Sequence, residues 1–497
     1  MLALVLITAC GGGNAGTKSG AESSSDSSGA KPLEKKTFTA LLSSHPNWPY
    51  REDWVVWKII EEKTGVTLKV QVPSGNWDEV LNLTVASGNM PDLMYMSSFT
   101  QANDYGQQGA LANILQYVDM MPNFKKWLEK YPEIKERYLS ADGKMFMFPN
   151  EGFGETNRRA WLYREDIFKK HNLNMPQNYD ELYDVLKQLK TLYPDSYPLS
   201  FRWQLGTLEN FAANFGVSTW VYYDKDAGVW KFGPTQEGFK DMLTYLSKFY
   251  KEGLMPPDWL TMTTKQWEDL MANNKSFVMT DYIVLDTYNI PLRKQNPEFS
   301  LKFLPPPAGK PGGKQVNPHL HVIDSGLTVA STSKHIPDIM KFMDFFYSEE
   351  GREVSSWGKE GVTYVVENGQ KKFKGDYPTF AELRKQTGLF TNGTYEWIDF
   401  NANLSMLSQE AREAYENARN YDTYLQPAPA FTKEENDVIR TVGQTVKKFY
   451  EESVTKFILG EKNLSEWDKY VSDINKLGVD QLITIYTEAY KRTQQFK

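Results

Sequence analysis

The first part of the chain alternates between strand-like and helix-like segments, and this alternation is the strongest constraint on the fold. Residues 36–43 (KTFTALLS) and 66–72 (VTLKVQV) have the apolar pattern of strands, and residues 53–64 (DWVVWKIIEEKT) have apolar residues at helical spacing. A second helical segment, 77–86, and a short strand, Leu93–Met96, follow. This order builds a parallel sheet covered by helices, so the sequence predicts an α/β fold.

The predicted sheet also indicates where a ligand would bind. Ligands on parallel sheets bind beyond the carboxyl ends of the strands. The segments at that edge are 43–48 and 97–99, which contain Trp48 and Ser98. We therefore expect polar and aromatic side chains from two separate loops to meet at one rim of the sheet.

The composition excludes some classes of partner. The chain has 497 residues, enough for two or three domains, and a formal net charge of −7. This balance argues against nucleic acid as the main partner, because phosphate binding needs a basic face. The 14 Trp, 28 Tyr and 27 Phe residues exceed the usual share, and surplus Trp and Tyr often line sites for flat, partly polar ligands.

The one cysteine, Cys10, directly follows a short apolar run, residues 1–9 (MLALVLITA). A single cysteine excludes an intrachain disulfide and a cysteine-based zinc cluster. The run is too short to span a bilayer but fits the end of a signal peptide, although no Lys or Arg precedes it. Residues 7–10 (ITAC) resemble a bacterial lipobox, and residues 11–30 have the Gly/Ser-rich composition of a flexible tether.

These features predict a signal peptide over 1–9, truncated at its start, followed by a lipidated Cys10 and a tether over 10–36. The protein would then be held by its lipid on the extracytoplasmic face of the cell membrane. The alternative is an ordinary hydrophobic start with a buried or free thiol.

Five short motifs are spread over the rest of the chain. They are SGNMPDLMYMSS at 87–98, GALANILQYVD at 109–119, DGKMFMFP at 142–149, WLYREDIFKKHNLNMPQNYDEL at 161–182 and GREVSSWGKEGVTY at 351–364. In this order they resemble the extracellular solute-binding proteins of carbohydrate ABC transporters, over most of the chain after residue 37. The size of the chain and its W-G-K-E-G segment are similar to the large oligosaccharide-binding lipoproteins, including the alginate-binding relatives.

The resemblance implies a two-lobed, periplasmic-binding-protein-like fold that closes on its ligand by hinge motion. Each lobe would be a mainly parallel sheet flanked by helices, with extra helices at the C-terminus. The expected first lobe is 37–155 with 305–350, and the second is 156–304 with 351–497. Crossings between the lobes are expected near 150–157, 300–307 and 345–353.

The implied function is capture of an oligosaccharide in the cleft between the lobes and its delivery to the permease subunits of an ABC importer. The protein is expected to be a monomer, without a cofactor and without enzymatic activity.

Pyranose rings lie on Trp and Tyr rings through their C–H faces, while their hydroxyl groups need placed donors and acceptors. We therefore look for aromatic residues in loops or at strand ends that have polar neighbours. The candidates are Trp48, Ser98, Arg202, Trp203, Asp281, Tyr282, His319, Trp357 and Trp397.

Several of these residues have a second interpretation. Arg202 could bind hydroxyl groups or a uronate carboxylate, or it could form an ordinary surface ion pair. Trp357 fits packing beneath the cleft slightly better than ligand contact. Trp54 and Trp57 lie at i and i+3 on a helix and are predicted to be core residues.

Metal binding is not favoured. His319 and His321 could share one face of a strand, but zinc sites usually need three protein ligands. Hydrogen bonding to the ligand or exposure to solvent is the better interpretation of His319. Residues 191–202 (TLYPDSYPLSFR) contain one acidic residue, so we expect no EF-hand-like calcium loop there.

Three other functions remain as alternatives. A surface glycan-degrading lipoprotein would need two carboxylates about 5 to 9.5 Å apart across a cleft. Glu151, Glu155 and Asp281 are candidates, but no motif identifies an acid and a nucleophile, and the sequence contains no G-x-S-x-G, P-loop or H-E-x-x-H. A receptor for oligopeptides or other small solutes would have the same architecture. A purely adhesive protein usually has internal repeats, which this sequence does not show.

Overall fold

Two four-stranded sheets organise the chain. The structure is a computed structural model that describes residues 35–45, 47–152, 155, 158–318, 325–391 and 399–496. The first sheet has the strand order β10-β3-β1-β2 and the second has the order β5-β8-β4-β9. The strands are β1 Lys36–Leu41, β2 Val66–Gln71, β3 Leu93–Met96, β4 Arg159–Arg164, β5 Leu199–Ser200, β6 Val221–Asp224, β7 Val229–Phe232, β8 Val278–Tyr282, β9 Leu301–Leu304, β10 Gly326–Val329, β11 Tyr364–Glu367 and β12 Gln370–Phe373.

Helices cover both sheets, and a group of them follows the last strand. They are α1 Val55–Thr64, α2 Trp77–Ser87, α3 Phe99–Gln107, α4 Pro122–Lys130, α5 Pro132–Tyr138, α6 Glu165–Lys170, α7 Tyr179–Leu192, α8 Leu208–Asn214, α9 Glu237–Lys251, α10 Thr264–Ala272, α11 Leu285–Leu292, α12 Ile336–Phe346, α13 Glu349–Ser356, α14 Phe380–Thr387, α15 Phe400–Ser405, α16 Gln409–Ala418, α17 Lys433–Leu459, α18 Trp467–Ile474 and α19 Asp480–Thr493. Within the described residues, none of these helices combines the length and the apolarity needed to cross a membrane.

The first sheet confirms the pattern predicted from the sequence. β1 pairs in parallel with β2 and β3, and α1 and α2 make the two crossovers. β10 enters much later in the chain and pairs with β3 in the antiparallel direction. Helix α1 ends at Gly65, whose φ of +72° lets the chain turn directly into β2.

The second sheet differs from the mainly parallel arrangement that we expected. β5 and β8 are parallel, but β4 lies between β8 and β9 and runs antiparallel to both. Buried strands have the same apolar composition in either direction, so the sequence pattern does not distinguish them. The fold is α/β as predicted, with one mainly parallel sheet and one mixed sheet.

Alternation along β4 divides the interior around the second sheet into two cores. Trp161 and Tyr163 point to a core built with α7, α9 and α17, whereas Ala160 and Leu162 point to a second core shared with α10, α11 and α16. A separate core surrounds the first sheet and includes Phe38 of β1. Each sheet therefore has its own interior, and the chain forms two lobes.

The second crossing between lobes lies later than the sequence suggested. Ala308 accepts a hydrogen bond from Tyr179 N, and Gly309 N donates to Asn214 O, at 3.0 and 2.9 Å. Asn317 N donates to Tyr421 O at 2.8 Å. The segment from 305 to 317 therefore packs on the second lobe, and the chain returns to the first lobe between Asn317 and β10.

The third crossing is also later than expected. Val354, Trp357, Leu383 and Phe390 all lie in the core of the first sheet, so residues 351–391 belong to the first lobe and not to the second. A helical pattern shows that a segment is amphipathic but not which lobe covers its apolar face. We define the first lobe as 35–152 with 325–391, and the second lobe as 158–318 with 408–496. The segment 399–407 packs against both, with Ala402 in the first core and Leu404 against the second.

Asp92, the last residue of the S-G-x-x-P-D segment, joins three parts of the first lobe. Its Oδ2 accepts hydrogen bonds from Thr39 N and Oγ1 of β1, at 2.8 and 2.7 Å. Its Oδ1 accepts a bond from Ser333 Oγ, in the loop after β10, at 2.6 Å. One carboxylate thus ties β1 and the β10 loop to the start of β3.

Replacing Asp92 with Ala is expected to lower the free energy of unfolding by about 3 kcal/mol, because hydrogen bonds to a charged acceptor are lost and their donors stay half-buried. Urea unfolding at neutral pH measures the change. Asp376→Ala, at an exposed position without a hydrogen bond or ion pair in the described structure, is the control and should change stability by less than about 0.5 kcal/mol. Equal effects of the two substitutions would contradict this role for Asp92.

The contribution of Asp92 to the free energy of unfolding is expected to depend on pH. Burial alone would raise the pKa of Asp92, but the hydrogen bonds from Ser333 and Thr39 outweigh it and lower the pKa. A carboxyl with a lowered pKa stabilises the fold above its unfolded-state pKa of about 4 and loses that contribution as the pH falls through its folded-state pKa. The stability difference between wild type and Asp92→Asn should therefore be constant above about pH 5 and shrink below about pH 4. A difference that grows on acidification would contradict this assignment.

Candidate ligand-binding site

Four of the residues singled out in the sequence meet at one edge of the second sheet. Arg202 and Trp203 follow β5, and Asp281 and Tyr282 end β8. Arg159, the first residue of β4, completes the group. We call these five residues the arginine–aromatic cluster.

Strand pairing explains why the cluster forms. β5 runs parallel to β8, so the segment after Ser200 comes out beside the end of β8. β4 runs antiparallel to β8, and its first residue, Arg159, pairs directly with Tyr282. Asp281 and Tyr282 are the last two residues of β8, so they lie at a strand end.

The backbone at Trp203 has an uncommon conformation. Its φ is +71°, and that of Gln204 is +53°, in the left-handed region that non-glycine residues rarely adopt. Phe201, which is 1% exposed, anchors the preceding position in the core. The turn brings the Trp203 ring to 5.1 Å from that of Tyr282, with an interplanar angle of 65°. Backbone strain of this kind often accompanies functional positions.

Arg202 forms a bidentate ion pair with Asp281. Nε and Nη2 of Arg202 donate to Oδ2 and Oδ1 of Asp281 at 2.5 and 2.8 Å, and the Asp281 side chain has no exposed surface. Burial raises the pKa of Asp281, while the hydrogen bonds and charge of Arg202 oppose that change. The ion pair that was the alternative interpretation of Arg202 is therefore present, and it is largely buried.

The two aromatic rings of the cluster keep part of their surface open. Trp203 and Tyr282 are half-buried. The guanidinium carbons of Arg202 and Arg159 lie 4.7 and 4.9 Å from the Trp203 ring centroid. Arg159 Nη1 also lies 3.1 Å from Asn210 Oδ1. The cluster thus offers aromatic surface beside hydrogen-bond donors, which is the combination that a sugar or another flat polar ligand requires.

Trp48 has partners in the first lobe that the sequence did not suggest. The ring of His45 stacks on it with centroids 3.6 Å apart and planes 8° apart. The guanidinium of Arg384, on α14, lies 4.6 Å from the Trp48 ring centroid. In this arrangement Trp48 is covered by protein, so its role as an open stacking surface for a sugar stays a prediction.

The other sequence candidates have mixed outcomes. Ser98 is half-buried and caps α3, where its Oγ accepts a bond from Thr100 N at 3.2 Å. Trp357 is 4% exposed and stacks on Phe373 in the first core, so here it packs and offers no open ring face. Cys10, His319 and Trp397 lie outside the described residues.

The carboxylates considered for catalysis are engaged in structural contacts. Glu151 accepts hydrogen bonds from Trp127 Nε1 and Tyr131 Oη, both at 2.7 Å. Burial opposes ionisation of Glu155, but Arg158 and Arg419 outweigh it and lower its pKa. A general acid needs a raised pKa, so Glu155 does not fit that role. Asp281 is occupied by Arg202.

Sequence reasoning missed Arg159 and Arg384. Arg159 becomes a candidate only through its pairing with Tyr282, and nothing in the A-E-L-R-K-Q-T segment distinguishes Arg384 from its exposed neighbour Lys385. In the described ranges, no group of three or more His, Cys, Asp or Glu side chains could hold a metal ion.

Breaking the Arg202–Asp281 ion pair is expected to destabilise the folded protein. Asp281→Ala should lower the free energy of unfolding by about 3 kcal/mol, because it leaves a largely buried guanidinium without its counter-charge. Asp269→Ala, which removes an exposed partner of Lys265, should change it by less than about 1 kcal/mol. Denaturant unfolding compares the two. The apolar double variant Arg202→Met/Asp281→Leu should recover most of the loss, and a double variant as unstable as Asp281→Ala would contradict the desolvation argument.

Comparison with known proteins supports the resemblance noted in the sequence. The family model described as "Bacterial extracellular solute-binding protein" matches residues 55–353. The chain is 25% identical over 521 aligned positions to the polygalacturonan/rhamnogalacturonan-binding protein YtcQ of Bacillus subtilis, covering 99% of each chain. It is 23% identical to the fructooligosaccharide ABC transporter substrate-binding protein FusA of Streptococcus pneumoniae, covering 93% of this chain and 92% of FusA.

A similarity among solved structures agrees with the fold. The alginate-binding protein AlgQ2, in its crystal structure without calcium ion, superposes with a TM-score of 0.77 at 25% identity, over 92% of this chain and 98% of that one. The family match extends over more than half of the chain and across both lobes. The chain therefore belongs to the family of bacterial extracellular solute-binding proteins, which are binding proteins and not enzymes.

Proposed function

We propose that this protein captures an oligosaccharide between its two lobes and delivers it to an ABC permease. The observation that carries the proposal is the arginine–aromatic cluster, which places the half-open rings of Trp203 and Tyr282 beside guanidinium donors at the edge of the second sheet. The relatives named for polygalacturonan, fructooligosaccharide and alginate support a sugar over a peptide as the ligand. Lipidation at Cys10 and a monomeric state belong to the same proposal.

The mechanism needs no covalent step. A ligand that contacts both lobes only in the closed form binds that form more tightly and shifts the population towards it. Arg158 lies next to the first crossing between the lobes, where we expect part of this movement. Its guanidinium is buried at the start of the second lobe, between Glu155 of the first crossing and Asp422 after α16. The permease would then recognise the closed surface.

The proposal is tested by titrating the soluble protein, from residue 31 onward, with neutral and uronic oligosaccharides in a calorimeter. Saturable binding of a glycan that chromatography shows to be intact after long incubation is the expected result. A shortened glycan would favour a glycan-degrading enzyme, and binding of peptides alone would favour an oligopeptide receptor. Either outcome would contradict the proposed function.

Trp203→Ala is expected to weaken sugar binding by about 1–3 kcal/mol, because stacking area is lost and a cavity is left. The dissociation constant from the same titration measures the effect. Trp220→Ala, which removes a half-buried ring of the second lobe beside Phe232, is the matched control and should leave binding unchanged. An unchanged constant for Trp203→Ala would exclude this ring from the site.

A further inference from the structure

Arg384 is a shielded cation that has no counter-charge among the described residues. It projects from α14 between two aromatic rings, with its guanidinium carbon 4.6 Å from the Trp48 centroid and 5.0 Å from that of Phe380. Its Nε has no exposed surface and no hydrogen-bond partner. Among the residues that the structure describes, no acidic side chain lies within ion-pair distance of this guanidinium.

Other buried arginines of the chain are paired. Arg158 contacts Glu155 and Asp422, Arg164 contacts Asp166 at 2.7 Å, and Arg202 contacts Asp281. A shielded charge without a partner costs stability, whereas a paired one regains much of that cost. The difference sets Arg384 apart from these three arginines, whose charges are neutralised by carboxylates of the protein.

The side chain stays charged at neutral pH. Burial lowers the pKa of Arg384 to about 10, which leaves it protonated near pH 7. Its neighbour His45 does not add a second charge, because burial and the charge of Arg384 lower the pKa of His45. The positive charge at this place is therefore that of one guanidinium, which is held against the indole ring of Trp48.

The position of Arg384 is that of a ligand-facing residue. Trp48 lies in the loop after β1, at the carboxyl edge of the parallel strands where ligands of such sheets bind. Because its guanidinium stacks on Trp48, Arg384 lies at this edge of the first sheet.

We propose that Arg384 binds the carboxylate of a uronic-acid unit, so that the ligand of this protein is an acidic oligosaccharide. The inference rests on the proposed function and specifies its substrate class. A planar guanidinium suits a carboxylate because both can share two parallel hydrogen bonds, and stacking on Trp48 fixes the plane of the guanidinium. Neutral sugar hydroxyls would leave the charge uncompensated.

The experiment is a calorimetric titration with matched pairs of oligosaccharides. The acidic members are trimers of galacturonate, of mannuronate and guluronate, and a glucuronate-bearing xylan fragment, and each has a carboxyl-reduced neutral counterpart. At least one acidic member should bind at least about 30-fold more tightly than its neutral counterpart. A sulfated neutral trimer tests whether another anion binds equally well, and equal binding would overturn the assignment to a carboxylate.

Arg384→Gln should weaken binding of the acidic trimer by about 30-fold or more and leave its neutral counterpart unchanged. Arg384→Lys should give an intermediate loss, because the charge remains but the bidentate geometry does not. Lys385→Gln is the matched control. It removes the same charge from the next position of α14, where Lys385 is exposed and paired with Glu382, and it should leave binding unchanged.

A thermal melt without ligand distinguishes a role of Arg384 in ligand recognition from a role in the stability of the fold. Removing a half-buried charge that has no acidic partner in the described structure should leave the melting temperature of Arg384→Gln unchanged or higher, whereas loss of a structural contact would lower it. A lower melting temperature, or an acidic-to-neutral affinity ratio that Arg384→Gln does not change, would overturn the inference. Binding of neutral oligosaccharides alone would overturn it and leave the proposed function intact. Binding of no oligosaccharide would overturn both.

Discussion

The buried ion pair between Arg202 and Asp281 is the interaction on which the arginine–aromatic cluster depends. The carboxylate has no exposed surface, so its charge is tolerated only while the guanidinium is present. Directly after Arg202, the backbone at Trp203 turns through its left-handed conformation, which brings the indole ring to Tyr282. The guanidinium that neutralises Asp281 also packs on the Trp203 ring, so one buried charge pair contacts the aromatic part of the cluster.

The two lobes use arginine in different ways. In the second lobe, Arg202 is neutralised by a protein carboxylate and acts on its neighbours by packing against their rings. In the first lobe, Arg384 stacks on Trp48 without a carboxylate of the described structure beside it. Two lobes that closed on one ligand would thus present an aromatic surface from one side and an unneutralised charge from the other. In the proposed mechanism, each lobe would therefore have a separate part in recognition.

The sequence predicted those parts of the fold that depend on local periodicity. The strands and helices from residue 36 to 96 came out within two residues of their expected bounds, because each is amphipathic or apolar by itself. The direction of β4 and the lobe to which residues 351–391 belong were not predictable in this way. Both depend on which apolar faces meet, and an amphipathic segment does not specify the surface that covers it.

The residues of the candidate site also divide into those that the local sequence predicts and those that it does not. Arg202, Trp203, Asp281 and Tyr282 were recognisable because polar and aromatic residues at strand ends are informative even without a structure. The remaining members, Arg159 and Arg384, were not, since their importance comes from partners that are distant in the sequence.

The sequence by itself determined the family, the α/β class and the rim of the first sheet, because motifs, periodicity and strand order are local properties of the chain. Only the tertiary structure decided that Arg202 is paired and that Arg384 has no acidic partner among the described residues. Whether a charge is neutralised depends on which side chains come within about 4 Å of it, and folding alone brings residues so far apart in the chain to that distance.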